Sequence, residues 1–119
     1  MVIEEQRVIC DIWVKVTPAN HRKLINACLS FGLPTVDISE ENFLDNNEID
    51  VFTYGVPPVS IDIMKVVKGC NFEEAYTLSN IYNEEGLLIR FIHINTLIQA
   101  KKASGRFKDL DDIEKLTSQ

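Results

Sequence analysis

Residues 9–34 read ICDIWVKVTPANHRKLINACLSFGLP, the pattern of a strand followed directly by a helix. Across residues 7–16, apolar residues, most of them β-branched, alternate with a second set that includes Asp11. This period of two predicts a strand with one fully apolar face. Thr17 and Pro18 are typical of a helix N-cap and first turn, and a glycine follows the last apolar residue of the helix. The fold is therefore expected to contain a strand-helix unit in this region.

The rest of the chain alternates between strand and helix patterns. The patterns predict a helical turn at residues 39–45, strands at 51–54, 59–67 and 87–92, and helices at 72–82, 97–105 and from 109 onward. Asn71 and Glu74 form a capping-box pattern, and Pro57 with Pro58 separates the first two of these strands. We expect an α/β (α+β) fold in which helices pack against a mixed sheet, as one domain over residues 1–119.

Composition and charge disfavour several classes of function. The chain carries 12 Lys and Arg against 18 Asp and Glu, and its net charge of −6 opposes tight binding to duplex DNA and to anionic membranes. Neither an export signal nor a stretch approaching the roughly 18 apolar residues of a membrane-spanning helix is expected. Cys10, Cys28 and Cys70 are widely spaced among apolar residues. We expect them to be reduced and buried, in a cytoplasmic protein.

Two aspartates interrupt strand patterns, Asp11 in the first strand and Asp62 in the strand after the prolines. Aspartate is disfavoured inside strands, so each position needs an explanation. Carboxylates that project from neighbouring strands onto one open face would hold Mg²⁺, which prefers hard oxygen ligands. The alternative, which the residue pattern alone favours, is that each aspartate faces water at a strand end or edge, or pairs with a lysine such as Lys15 or Lys65.

Three collinear segments resemble the minimal nucleotidyltransferases, which belong to the DNA-polymerase-β-like nucleotidyltransferase superfamily and are related to AbiEii-type toxins. Residues 9–34 are similar to that family's DIDIWV strand and the helix after it. Residues 52–76, FTYGVPPVSIDIMKVVKGCNFEEAY, are similar to its FGxPPxRIDLLT segment, and residues 97–116, LIQAKKASGRFKDLDDIEKL, resemble its C-terminal motif. The resemblance implies a nucleotidyltransferase-like fold and transfer of a nucleoside monophosphate from an NTP to an acceptor hydroxyl.

The resemblance also implies site residues. Three carboxylates hold two Mg²⁺ ions in such enzymes. Asp11 matches the second aspartate of the family's DxD pair and Asp62 matches the third carboxylate, so both are candidate catalytic and metal-binding residues. Ile9 stands at the position of the first aspartate, and an aliphatic side chain cannot ligate a cation. Lys101 and Arg106 match the C-terminal motif, which implies contact with nucleotide phosphates. A position near a helix C-terminus explains Lys101 equally well.

Three further side chains admit a structural interpretation. Trp13 shares a strand face with Asp11, and it either stacks on a base or, as the pattern favours, packs in the core or an interface. His21 is predicted to lie on a helix surface, and His93 is predicted at a strand end or helix cap. The spacing of the histidines and cysteines does not predict a zinc site.

The family's catalytic strand normally follows a helix, a strand and a glycine-serine or glycine-glycine turn that supports the triphosphate. Here that strand begins close to Met1, so the resemblance implies a truncated remnant, or a layer supplied upstream or by another subunit. An uncovered sheet edge would then favour a protein partner or a homo-oligomer. We expect a catalytically degenerate nucleotidyltransferase-like binding or assembly module, acting beside a toxin–antitoxin or phage-defence partner. The alternative is an active Mg²⁺-dependent transferase completed by the missing elements.

Overall fold

The protein is described by a computed structural model over residues 1–6, 9–56 and 59–117. The strands in these ranges are β1 Val2–Gln6, β2 Ile9–Trp13, β3 Val51–Val56, β4 Val59–Met64, β5 Asn80–Glu84 and β6 Leu87–Phe91. The helices are α1 Pro18–Phe31, α2 Phe72–Leu78, α3 Ile94–Ser104 and α4 Phe107–Thr117, with a π-helical segment at Glu41–Asp45. The start of the first predicted strand, Arg7 and Val8, and the predicted break at Pro57 and Pro58 lie outside the described residues.

The strands form one mixed sheet in the order β3-β4-β2-β1-β6-β5. β2 runs parallel to β4 and β1 runs parallel to β6. β3 is antiparallel to β4, and β5 is antiparallel to β6, so the two antiparallel strands are the edges of the sheet. The expectation of a mixed α/β fold with a mixed sheet is confirmed.

The chain divides into two units, one of residues Glu4–Val66 and one of Met1–Ile3 with Val67–Gln119. The first unit contains β2, β3, β4, α1 and the π-helical segment, and the second contains β5, β6 and α2 to α4. The core of the Glu4–Val66 unit consists of Cys28, Ile38, Phe43, Phe52 and Ile63. Phe52 and Ile63 are register partners on β3 and β4, so this core lies on one face of those strands.

The capping signals in the sequence are confirmed. The Thr17 hydroxyl accepts a hydrogen bond from a backbone N–H in the first turn of α1, and Pro18 occupies the first helical position. Gly32 ends α1 in the left-handed conformation, at φ 82°. The Asn71 side chain likewise caps α2 by accepting from the Glu74 N–H at 3.2 Å. Local chemistry therefore fixes where both helices begin.

The predicted helix at residues 72–82 is wrong over its last turn, because α2 ends at Leu78. Ser79 has extended backbone, at φ −63° and ψ 151°, and its hydroxyl donates to the Tyr76 carbonyl at the end of the helix. The following residues pair with β6 as β5. Tyr82 continues the apolar spacing of α2 in sequence, but pairing within the sheet decides the structure.

The other differences concern the first strands and the half-buried thiols. β1, with the sequence VIEEQ, was not predicted, because its apolar residues do not alternate. It precedes β2 and lies beside it in the sheet, so a strand is present where the resemblance implied a missing layer. The strand predicted at residues 7–16 is shorter and ends at Trp13. All three cysteines are free thiols, but only Cys28 is buried as predicted, whereas Cys10 and Cys70 are half-buried.

The two histidines have different outcomes. His21 is buried at 8% exposure, and its Nε2 lies 2.9 Å from the Ile38 carbonyl oxygen, so the prediction of a helix-surface position is wrong. The segment after α1 folds over this histidine, and Phe43 packs against its ring at 5.5 Å between centroids. His93 is the N-cap of α3, as predicted, and its Nδ1 accepts from the Asn95 N–H at 3.1 Å.

Candidate functional site

The two strand aspartates are direct neighbours in the sheet. Asp11 on β2 and Asp62 on β4 are register partners in a parallel pair. Partners in register project to the same face of a sheet, and neighbouring strands lie about 4.8 Å apart. The structure therefore brings together the two carboxylates that sequence analysis proposed as metal ligands. Both residues are half-buried.

A hydroxyl on the next strand extends this pair to a row of three side chains. Thr53 on β3 is the register partner of Asp62, and its Oγ1 donates to the Asp62 Oδ1 at 2.8 Å. This hydrogen bond orients the Asp62 carboxylate and leaves its Oδ2 for other ligands. At the other end of the row, the Oδ1 of Asp11 is buried. We call Asp11, Asp62 and Thr53 the carboxylate row.

The carboxylate row lies on the face of β3 and β4 opposite to the core of its unit. Asp62 alternates along β4 with Ile61 and Ile63, which belong to the core side. An aspartate on the core side would lose its hydration without compensation, so the polar row must occupy the other face. Strand alternation alone thus separates the apolar and acidic faces of these two strands.

Trp13 occupies the same strand face as Asp11 but is only 2% exposed. Its indole Nε1 donates to the Lys65 carbonyl oxygen at 3.4 Å. Burial leaves little ring surface for stacking on a base, so the core interpretation of Trp13 is confirmed.

Lys65 directs its ammonium group away from the strand aspartates. The Nζ donates to the Asn42 carbonyl at 2.7 Å and to the Asn46 carbonyl at 2.9 Å. Burial lowers the pKa of Lys65, partly offset by the charges of Asp50 and Asp45. Lys65 therefore stabilises the π-helical segment and does not pair with Asp62. The Asp62 carboxylate accepts a hydrogen bond from a hydroxyl instead.

The carboxylate row offers a small set of hard oxygen donors. In the described part of the chain, no group of three or more His, Cys, Asp and Glu side chains is placed to hold a metal ion. Two adjacent carboxylates fit a single divalent cation whose remaining ligands come from water or phosphate, as is usual for Mg²⁺. The donor set of Asp11 and Asp62 therefore fits one Mg²⁺ ion.

The residues matched to nucleotide binding, Lys101 and Arg106, form an ion-pair network with α4. The Nζ of Lys101 lies 3.0 Å from the Asp112 Oδ2 and 3.9 Å from the Asp109 Oδ1. The Nε of Arg106 lies 2.7 Å from the Asp109 Oδ2. Lys101 is buried near the end of α3, with its side chain 8% exposed, whereas the Arg106 side chain is 75% exposed. Both cations therefore have structural partners within their own unit.

Asp109 is the anion at the centre of this network, at 3% exposure. Its hydrogen bond from Arg106 is the largest cause of a lowered pKa, against the opposing effect of burial. In the sequence pattern, residue 109 only marks the expected start of the last helix. The signal that could have shown the pairing is the spacing of three residues between Arg106 and Asp109.

In the described residues, no helix has the length and apolar character needed to cross a membrane. No family model, curated protein or solved structure matches this chain.

Proposed function

We propose that this protein is a nucleotidyltransferase-like binding module that holds an Mg²⁺-coordinated nucleoside triphosphate through Asp11 and Asp62 and does not transfer the nucleotide on its own. The register pairing of the two aspartates on β2 and β4 carries the proposal. Carboxylates at such spacing repel one another, and a divalent cation that both of them ligate would offset this repulsion. A divalent cation bound by both carboxylates would explain why two aspartates lie side by side in the sheet.

The cation would be bound by side chains of this chain. Asp11 and Asp62 would supply one carboxylate oxygen each, and the hydroxyl of Thr53 would keep the Asp62 carboxylate in one orientation. Mg²⁺, when bound, supplies positive charge that offsets the charge of the phosphates. This arrangement requires no basic side chain beside the cation. It is compatible with Lys101 and Arg106 serving the ion-pair network with α4.

The proposal of binding without transfer follows from Ile9. The resemblance implies three carboxylates and two metal ions for the reaction, and an isoleucine removes one of the three. The charge that two ions would offset in the transition state is then only partly offset. The alternative, an active transferase completed by another segment or subunit, uses the same two aspartates.

Thermal unfolding of the chain with each NTP, with and without millimolar Mg²⁺, tests the proposal. A ligand at 100 times its dissociation constant adds about 2.7 kcal/mol of stability. For a domain of this size that corresponds to a midpoint rise of about 10 °C. We expect a rise that requires both Mg²⁺ and a nucleotide and that Asp62→Asn abolishes. Glu48→Gln, which neutralises an exposed carboxylate outside the carboxylate row, should leave the rise intact.

An assay of pyrophosphate release separates the proposal from its alternative. We expect the wild-type chain to bind the Mg²⁺-nucleotide without releasing pyrophosphate. Release that Asp62→Asn abolishes would establish the active transferase instead. A midpoint that no nucleotide shifts, with or without Mg²⁺, would refute both.

A further inference from the structure

β5 lies at one end of the sheet and carries apolar side chains into solvent. All five of its residues are exposed. Edge strands in soluble proteins are normally protected by lysine, proline, a bulge or a covering segment. The β5 sequence NIYNE contains no lysine or proline, and its only charge is Glu84 at the end next to the turn. Such an edge is suited to pairing with another strand.

The geometry of the hairpin determines which peptide groups face outward. Glu85 and Gly86 form a two-residue turn with positive φ at both positions, 52° and 88°, and Glu84 opposes Leu87. The pair that closes such a turn is hydrogen-bonded, and bonded and non-bonded pairs then alternate along the ladder. Ile81 and Asn83 are therefore the β5 residues whose N–H and C=O groups point away from β6.

We propose that β5 pairs antiparallel with β5 of a second copy of this chain, with Tyr82 opposite Tyr82 across a two-fold axis. In this register Ile81 of each copy opposes Asn83 of the other. These are the residues with outward peptide groups, so four backbone hydrogen bonds form across the axis. The strand is thus self-complementary in its hydrogen-bonding pattern.

The same register is complementary in charge. It places Glu84 of each copy opposite Asn80 of the other, where the amide can donate to the carboxylate. A register centred on Glu84 would instead bring two carboxylates together, which destabilises a cross-strand pair. Of these two registers, the one centred on Tyr82 pairs the outward peptide groups and places no like charges opposite each other.

The exposed apolar surface at the hairpin suits a weak dimer. Five side chains here are more than half exposed: Leu78 57%, Ile81 53%, Tyr82 55%, Leu87 64% and Leu88 67%. At about 200 Å² per large side chain, these exposed fractions correspond to roughly 600 Å² per copy. Even complete coverage in both copies would bury roughly 1,200 Å², the low end for a specific interface. We therefore expect dissociation in the micromolar range.

The hairpin is braced from within its own unit. The Arg90 guanidinium lies 4.1 Å from the centre of the Tyr76 ring on α2, and its Nη1 donates to the Ser79 hydroxyl at 3.1 Å. Tyr82 packs edge-on against Phe91 of β6, with 5.2 Å between ring centroids. A braced edge loses little conformational entropy on pairing. The other edge strand, β3, is less regular because Gly55 has a φ of 90°.

Analytical ultracentrifugation of the full chain from about 1 to about 200 µM tests the proposal, since this range brackets a micromolar affinity. We expect a reversible monomer–dimer equilibrium that Ile81→Pro shifts to monomer. Proline at this position removes an outward N–H and leaves the β5–β6 hydrogen bonds intact. Ile81→Lys provides a second variant that keeps the N–H and adds charge repulsion. Val36→Lys, at a residue 81% exposed in the Glu4–Val66 unit, is the matched control and should dimerise as the wild type does.

The folded state of each variant is checked by circular dichroism, and a variant that fails to fold is replaced by the other. A wild-type chain that stays monomeric over the whole range would overturn the proposal. So would a dimer that is as tight in the folded variant as in the wild type, because Ile81→Pro removes two of the four backbone hydrogen bonds and Ile81→Lys brings two like charges to the same interface.

Discussion

Replacing Lys101 with methionine separates a structural role for this residue from a role in ligand binding. The Nζ lies 3.0 Å from Asp112 and 3.9 Å from Asp109, and the lysine and Asp109 side chains are only 8% and 4% exposed. Removing one partner of a buried ion pair costs about 3–5 kcal/mol. Asp109 keeps Arg106 as a partner and Asp112 is 20% exposed, which reduces the expected loss to roughly 2–3 kcal/mol.

Urea unfolding followed by circular dichroism measures this loss, and thermal unfolding should show a midpoint lowered by about 8–12 °C. Lys102→Met is the matched control, because Lys102 is the exposed neighbour on the same helix turn. We expect that control to cost at most a few tenths of a kcal/mol. Equal stability of the two variants would refute the ion-pair account of Lys101.

Four further outcomes are expected from the structure. Gly55→Ala should cost about 2–3 kcal/mol, because its Cβ would lie 2.5 Å from a carbonyl oxygen and φ is 90°. Gly86→Ala meets no atom within 4 Å, so in urea unfolding it should cost only about 1 kcal/mol. Burial raises the pKa of both the Cys28 and Cys70 thiols, so Ellman's reagent should react slowly with them at neutral pH and faster in urea; equal rates would contradict this. The pKa of Asp109 is lower in the folded state than in the unfolded state. Its contribution to the free energy of unfolding is therefore complete above about pH 4 and is lost as the pH falls through the folded pKa. Urea unfolding of the wild type and of Asp109→Asn at a series of pH values should show this loss in the wild type only.

The parts of the fold that local chemistry decides could be predicted from the sequence. The caps of α1 and α2 and the strand alternation around Asp11 and Asp62 depend on residues close together in the chain. Two carboxylates on neighbouring strands were one of the two interpretations of Asp11 and Asp62 that the sequence allowed. Alternation predicts the sheet face on which each aspartate lies. It does not predict which residue of β4 lies beside Asp11, because that depends on the alignment of the two strands.

The missed features depend on residues far apart in the chain. β5 continues the apolar spacing of α2, and its pairing with β6 decides against helix. The turn at Glu85 and Gly86 was the local sign that a strand should precede it as well as follow it. The burial of His21 depends on the Ile38 carbonyl, 17 residues away, and no local pattern encodes that contact. A single sequence therefore predicts poorly which side chains are buried by segments distant in the chain.

The central claim is that Asp11 and Asp62 act together on one cation. Isothermal titration of a nucleoside triphosphate in millimolar Mg²⁺ against wild type, Asp11→Asn, Asp62→Asn and the double variant tests it directly. If both carboxylates ligate the same ion, each single variant should lose most of the affinity, and the double variant should lose little more. Losses that add independently, or single variants that bind as the wild type does, would contradict the claim.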